Sequence, residues 1–422
     1  MKQPLIVGLD LGSSQIRLAM GQVSQTPERG PVLNVVGAVA VPSQGISKGV
    51  VTALEDAVAA VSSGLEQGEQ QLGMPIDEAV VGIGGTHFNV IDAKGVVGVS
   101  RADGDIRPED VERVMESARS AANPANHEIL HVLPHGFTVD GQSGITDPVG
   151  MHGIRLEANA HLVLGIAGNV RNMTKCVFRT GLDIASLVFG PMACAQAVTN
   201  ARERELGVCV VNIGAATTSV ILFEEGDLIH AKVIPIGSEH ITSDIAIGLR
   251  ISLEVAEQIK LLHGSALPEH YGKQDEVDMA TFGAEVSEIV SLQYLSEIIQ
   301  ARTEEIFEKV EEELRAADRS GLLPAGAVLT GGGAKLPGIV EVAKASLRLP
   351  SSLGAATHLQ TPMPEKVHDP SFATAVGLVQ WGFDEIRQEG GSGPSARVFA
   401  RGGDLVKKVG GSIKKVFKSF IP

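Results

Sequence analysis

Two stretches about 200 residues apart share one local grammar, and that repeat limits the folds open to the chain. Pro4–Gly21 reads PLIVGLDLGSSQIRLAMG, and Leu206–Phe223 reads LGVCVVNIGAATTSVILF. Each is an apolar run, a turn of small residues and a second apolar run, the pattern of a tight β-hairpin. Asp10 falls level with Asn212, and Gly12 with Gly214. A further strand-like run follows each, at Pro31–Pro42 and Leu228–Ile236. Such a duplication predicts two α/β domains whose hairpins face one cleft. Small turn residues let backbone N–H groups approach an anion, so both turns are candidate phosphate cradles. A third cluster, Leu329–Gly338 (LTGGGAKLPG), follows the apolar run Ala327–Thr330. Three consecutive glycines let backbone lie flat against a nucleoside. Any one of these loops alone reads as an ordinary turn; the three in this order carry the inference.

Composition removes several classes. At 422 residues the chain has room for two to four domains, and 44% hydrophobic against 20% charged residues is globular. A net charge of −15 repels phosphate backbones and argues against general nucleic-acid binding. Cys176, Cys194 and Cys209 are odd in number and have apolar neighbours, which fits buried thiols better than a disulfide framework or zinc site. The start of the chain lacks a signal-peptide pattern, and no apolar run approaches the ~20 residues needed to cross a bilayer. The expectation is a soluble cytoplasmic protein, with one segment on a membrane surface.

That segment is residues 404–422, DLVKKVGGSIKKVFKSFIP. On a helical wheel Leu405, Val406, Val409, Ile413, Val416, Phe417, Phe420 and Ile421 fall within ~0–160°. Lys407, Lys408, Lys414, Lys415 and Lys418 fall within ~180–300°. Complete segregation of this kind suits a helix lying in the headgroup plane. Each lysine near anionic lipid contributes ~1 kcal/mol before screening. Gly410 and Gly411 oppose helix formation at ~1 kcal/mol each, so the expectation is a helix formed on lipid and not in water. The segment carries net +4, which leaves the rest of the chain at −19. Docking of this helix on its own domain is the alternative. A Gly- and Ser-rich stretch before it would give it reach.

The motifs GLDLGSSQIR, ELGVCVVNIGAATTSV, VIPIGSEHITSDIA, AEQIKLLHGSAL, VLTGGGAKLPG and ATAVGL, followed by the basic terminal segment, span nearly the whole chain in order. Together they resemble the FtsA family of bacterial division proteins, within the actin/Hsp70/sugar-kinase superfamily. The resemblance implies an α/β fold of duplicated actin-like domains around a nucleotide cleft, with an FtsA-type 1C subdomain and a C-terminal amphipathic helix. Its boundaries here would be 1–85, 162–205 and 376–388 for subdomain 1A, 86–161 for 1C, 206–241 and 305–375 for 2A, and 242–304 for 2B. Residues 389–403 would be a flexible linker and 404–422 the membrane helix. The 1C segment has its own support: HFNVID is strand-like, and Pro108 opens a helix with Glu109 and Asp110 in the first turn.

The resemblance also implies a function: a self-assembling ATP-binding scaffold that anchors the FtsZ ring to the cytoplasmic membrane at the septum and recruits later division proteins through 1C. Its partners would be the FtsZ C-terminal tail, anionic lipid and further copies of itself. Arg302, in SEIIQARTEEIFEKV, matches a family position implicated in gripping that tail; a solvated surface arginine is the plain reading. The implied nucleotide set is Asp10, Gly12, Ser13, Ser14, Gln15 and Arg17, then Asn212, Gly214, Ala215, Ala216 and Thr217, with Glu257, Lys260, Gly331, Gly332, Gly333 and Lys335. The ligand would be ATP with Mg2+, the metal held only through water near Asp10.

The second loop departs from the family's usual Asp-Ile-Gly-Gly-Gly-Thr. Asn212 lacks the carboxylate that helps hold hydrated magnesium and orient water. Ala215 and Ala216 stand where the family uses glycine, often at angles other residues resist, and Ser219 where it often has a second Asp. Gln15 and Arg17 surround the place where relatives often supply a lysine. Binding survives such changes better than hydrolysis, so negligible ATPase activity and no catalytic residue are expected. Gln196, on a helix entering the cleft beside Cys194, is a weak candidate for steering water. The alternatives are a PilM-like scaffold of type IV pilus assembly, a divergent FtsA paralogue with an empty pocket, and a true ATPase or sugar kinase. His127-Glu128-Ile129-Leu130-His131 matches the H-E-x-x-H zinc signature, but Pro124 and Pro134 flank it and Glu128–Val139 reads as a strand, so a zinc site is not expected.

Overall fold

The structure, a computed structural model, describes residues 4–26, 30–101, 103–122, 125–283 and 289–389. The repeated hairpins build two five-stranded sheets of one plan. In the first lobe, Leu5–Leu11 is central. On one side it is antiparallel to Gln15–Thr26, which pairs with Gly30–Pro42. On the other it runs parallel to Glu78–Ile83 and then Asp183–Phe189. In the second lobe, Val208–Ile213 takes the central place, antiparallel to Thr218–Glu224 and then Asp227–Ile234. Its other flank runs parallel to Ala327–Thr330 and Ser351–Leu353. Registers repeat as well: Asp10 stands opposite Arg17, and Asn212 opposite Ser219.

The central strands are apolar on both faces because helices cover both. Leu18 faces Gly64 of the helix Leu54–Leu72, where an added Cβ would come within 2.9 Å of it. Gly8 faces the helix Ala373–Glu389 so closely that a Cβ would sit 2.3 Å from the Ala375 carbonyl oxygen. That helix also meets Gly190–Val198, a short apolar helix between the lobes with only Gln196 and Val198 outside the buried set. At their crossing, a Cβ on Gly377 would lie 1.9 Å from the Ala193 carbonyl oxygen.

A separate unit is inserted after the strand Glu78–Ile83. Its antiparallel sheet runs in the order Phe88–Gly98, Arg155–Ile166, His127–Val139, Gln142–Ile145. The helix Pro108–Ala121 packs on it, opened by Pro108 and by Asp110, which accepts the Arg107 N–H at 3.0 Å. The H-E-x-x-H segment lies in the strand His127–Val139, and the ring Nε2 of buried His131 accepts the Phe189 N–H at 2.9 Å. Among the described residues, no group of three or more His, Cys, Asp or Glu is placed to hold a metal ion.

In the second lobe, the helices Ser238–Leu249 and Leu253–His263 precede a 25-residue helix, Leu292–Ala316. This helix runs unbroken through residue 304, where the 2B/2A boundary was expected. Its buried stripe of Leu295, Ile299, Thr303, Ile306, Val310 and Leu314 has no interruption there. The helix Ala373–Glu389 likewise crosses the 375/376 boundary, and the strand Arg155–Ile166 continues past residue 161. The amphipathic segment 404–422 and its linker lie outside the described residues.

The Gly377 contact gives a stability prediction. Gly377→Ala forces a methyl into the Ala193 backbone and is expected to destabilise by about 1–3 kcal/mol. Gly98→Ala, with nothing within 4 Å of its Cβ, should stay within about 0.5 kcal/mol. Urea denaturation of the two variants checks this.

Candidate functional site

The turns of the two hairpins meet over the helix Gly190–Val198. Thr374, at the start of the last helix, links them: its Oγ1 accepts from Asn212 Nδ2 at 3.4 Å, and its side chain also hydrogen-bonds the Cys194 thiol. Cys194 is buried close enough to Asp10 to feel its charge, and burial pushes the thiol up to about 12. Asp10, Cys194, Asn212 and Thr374 therefore form one floor, contributed by four separate elements.

Both turns close by the same crowding. A Cβ on Gly12 would lie 2.5 Å from the Gln15 carbonyl oxygen, and one on Gly214 2.9 Å from that of Thr217. The first turn is held by Lys48 N–H donating to Ser13 Oγ at 3.0 Å and Ser43 N–H to the Ser14 carbonyl at 2.9 Å. In the second, Gly214 N–H donates to the Thr217 carbonyl at 2.9 Å. The Gly214 and Ala215 carbonyls accept from Ser238 and Glu239 N–H, each at 2.9 Å. Neither Ala215 nor Ala216 takes a positive φ, so the expected backbone conflict at those methyls does not arise. Close approach falls instead on Gly237, whose Cβ would come within 2.5 Å of the Ala215 carbonyl oxygen.

The third loop crosses the end of Val208–Ile213. Gly331 has φ +85°, and a Cβ there would meet Asn212 Oδ1 at 2.3 Å; one on Gly333 would meet Ile213 Cγ2 at 2.4 Å. Gly332 between them is exposed with nothing within 4 Å, leaving an open ledge.

Charge on this floor is unusual. Burial pushes the Asp10 carboxyl up to about 6, with the Arg17 charge opposing the shift. Arg17 is lowered by burial, against the charges of Asp10 and Asp369. Its Nη2 donates to Gln15 Oε1 at 2.6 Å and its guanidinium lies 5.8 Å from the Phe372 ring centroid, but its Nε is buried with no hydrogen-bond partner. The matching pair in the other lobe, Asn212 and Ser219, is neutral.

Other sequence candidates are tied up within the fold. Lys335 pairs with Asp369 at 2.6 Å. Buried Lys260 pairs with Glu257 at 2.6 Å and donates to Thr242 Oγ1 at 2.8 Å and the Ser238 carbonyl at 3.3 Å; Thr242 in turn donates to Glu257. Gln196 donates to Asp384 at 2.6 Å rather than facing the floor, because it lies two residues from Cys194 on the helix and so on the other side. Arg302 is gripped by both carboxylate oxygens of Asp244 and by Glu305, with 23% of its side chain exposed. Thr374, Asp369 and Phe372 were not among the sequence candidates; Thr374 alone had a signal, its place in the ATAVGL run.

Comparison with known proteins agrees with this architecture. A family model described as "Cell division protein FtsA" matches residues 209–377, and one described as "SHS2 domain inserted in FTSA" matches residues 85–164. Cell division protein FtsA of Pseudomonas aeruginosa is 36% identical over 381 residues, 90% of each chain. That of Bacillus subtilis (strain 168) is 36% identical, covering 92% of this chain and 85% of its own. That of Escherichia coli (strain K12) is 33% identical over 420 residues, 98% of each. Among solved structures, a chain of the PilM–PilN type IV pilus biogenesis complex has TM-score 0.64 at 18% identity, covering 90% of this chain and 99% of that one. ADP-bound MreB5 of Spiroplasma citri has TM-score 0.53 at 13% identity, covering 92% and 99%. The structural neighbours share the actin-like α/β fold; the sequence relatives, similar along nearly their whole length, establish that the chain belongs to the FtsA family of cell-division proteins.

Proposed function

We propose that this chain is a membrane-tethered, ATP-holding scaffold that anchors FtsZ polymers to the cytoplasmic face of the membrane at the septum. The observation that carries the anchoring is the 404–422 segment, whose eight apolar and five lysine side chains separate cleanly by helical face on an otherwise acidic chain. Five lysines give ~5 kcal/mol toward an anionic surface before screening, enough for reversible recruitment. Copies joined in a filament would add avidity, so each tail can stay weak.

The cleft fits a nucleoside phosphate. Arg17 holds a buried Nε with no acceptor, which an anion would satisfy, and Gly332 leaves a ledge open beside the Ile213 end of the central strand. Ser13, Ser14 and Thr217 add small polar side chains at the two turns. Asp10 would hold hydrated Mg2+ through water, and the metal would supply charge neutralisation of the phosphates. Asn212 donates an amide to Thr374 and brings no second carboxylate to orient water, so the chain's own groups favour holding ATP over hydrolysing it.

For FtsZ, Arg302 is a pre-oriented cation fixed by Asp244 and Glu305. One turn beyond Asp244, Ile247 is 76% exposed, and the next helix exposes Leu253, Leu261 and Leu262. That combination of apolar surface and a held guanidinium suits a short peptide tail. Subdomain 1C would take the later division proteins.

The deciding experiment is flotation with anionic vesicles in the presence of FtsZ tail peptide. The full chain is expected to float and carry the peptide, and a chain ending at residue 403 to stay at the bottom; equal flotation of both would overturn the anchoring. Mg-ATP should bind saturably with no phosphate release, with or without FtsZ. Saturable binding that fails to appear would make the pocket empty. Asp10→Asn is expected to weaken Mg-ATP binding at least about tenfold. The same change should stabilise the nucleotide-free protein. The raised pKa of Asp10 means its carboxylate costs stability as pH climbs from 3.8 through about 6. The variant's advantage should therefore be absent below pH 4 and approach about 3 kcal/mol above pH 7, read by urea denaturation across pH.

A further inference from the structure

Away from the cleft, four strands bring a second titratable cluster together where the SHS2 sheet touches the second lobe. Asp92 lies on Phe88–Gly98, His135 on His127–Val139, His161 on Arg155–Ile166 and Asp227 on Asp227–Ile234. His161 Nδ1 and Asp92 Oδ1 are 2.7 Å apart, the His135 and His161 rings are 4.9 Å apart, and His135 Nδ1 stands 3.7 Å from Asp227 Oδ2 across the junction. Behind them is a cavity lined also by Lys94, Asn159 and Ile229. His161 Nε2 is buried with no partner.

We propose that His135, His161, Asp92 and Asp227 form a proton-operated clasp that holds the SHS2 unit against the second lobe when the histidine pair carries a proton. The proposal stands apart from membrane or nucleotide binding. At 3.7 Å the His135–Asp227 pair is beyond hydrogen-bond length and acts as an attraction only when the imidazole is charged. Asp92 fixes the His161 ring, and two imidazolium rings at 4.9 Å repel, so the pair takes up one proton in preference to two. His161 is lowered on balance: burial, with His135 adding to it, outweighs the opposing charges of Asp92 and Asp227. Burial raises Asp227, as do Glu225 and Glu205 behind it, while the two histidines lower it. Lys94 is engaged by Glu157 at 2.5 Å, and His230, on the strand Asp227–Ile234, is paired with Glu313 of the second lobe. Closing the clasp takes up a proton, so acid closes it and a rise in pH opens it.

The clasp reaches the cleft through one strand. Asp227–Ile234 leads into Ile236, whose carbonyl accepts from Thr218 Oγ1 at 2.8 Å, and into Gly237 and Ser238, which press on and bond the second phosphate turn.

Hydrogen–deuterium exchange on the full chain, corrected for intrinsic rates, tests the clasp. Moving from pH 7.5 to 5.5 is expected to raise protection of residues 227–234 and 88–98 by about two- to fivefold, the range of a partly exposed ion pair. Asp227→Asn and His135→Gln should each abolish that pH dependence, and the double variant should add nothing further. His135→Lys keeps a permanent cation and should give high protection at both pH values. Protection that does not vary with pH in the unaltered chain, or that still varies in Asp227→Asn, would overturn the proposal.

Discussion

The floor between the lobes depends on one close backbone contact. Helix Gly190–Val198 and helix Ala373–Glu389 cross with the Ala193 carbonyl in the space a side chain on Gly377 would need. A wider crossing would lift the last helix off the first sheet, because Gly8 and Gly82 admit it at similarly short range: Cβ atoms there would lie 2.3 Å from Ala375 and 2.7 Å from Leu378. Cys194 and Thr374 sit on these two helices, one residue from Ala193 and three from Gly377. The same crossing therefore sets the floor on which Asp10 and Asn212 converge. Small residues are required here for proximity rather than for unusual dihedral angles, since Gly377 does not have a positive φ.

Where the fold was legible in the sequence, the signal was local. A hairpin is written in an apolar run, a small turn and another apolar run, and its second copy reveals the duplication; the matching registers Asp10–Arg17 and Asn212–Ser219 follow from equal turn lengths. Subdomain limits were not legible at residue 304, because a helix whose apolar stripe continues offers no mark where one region hands over to another. The site divided in the same way. Glycine turns announced themselves, whereas Asp244, which holds Arg302, and the partners of Gln196 and Lys335 lie 58, 188 and 34 residues away and could be found only in three dimensions. The alanines of the second turn show the limit of reasoning from residue type: their methyls are tolerated because the strained approach is displaced to Gly237. The histidine cluster had no sequence signal at all, since its four members come from four strands.

If the cleft takes ATP as proposed, its charge would suit holding more than turnover. Asp10 faces Arg17 in one lobe and Asn212 faces Ser219 in the other, so the strand ends bring no net charge to the cleft. A neutral floor with one orphaned guanidinium nitrogen would attract the phosphate of the proposed nucleotide without concentrating negative charge around an attacking water. Selectivity of this kind comes from what is missing at residue 212 as much as from what is present. The amide there is not idle, because its Nδ2 reaches Thr374 and its Oδ1 occupies the space beside Gly331.

These two sets of residues, the neutral floor and the histidine junction, share a single structural route. The strand Asp227–Ile234 carries Asp227 at one end and runs at the other into the residues that bond the Gly214 and Ala215 carbonyls. The strand is held by its antiparallel ladder to Thr218–Glu224. The bulge between Leu222 and Phe223 is the weak point in that ladder, and it lies at the Asp227 end. The junction end can therefore yield while the end beneath the phosphate turn stays in register. That ordering makes the SHS2 contact the adjustable part and the Gly214–Thr217 turn the fixed one.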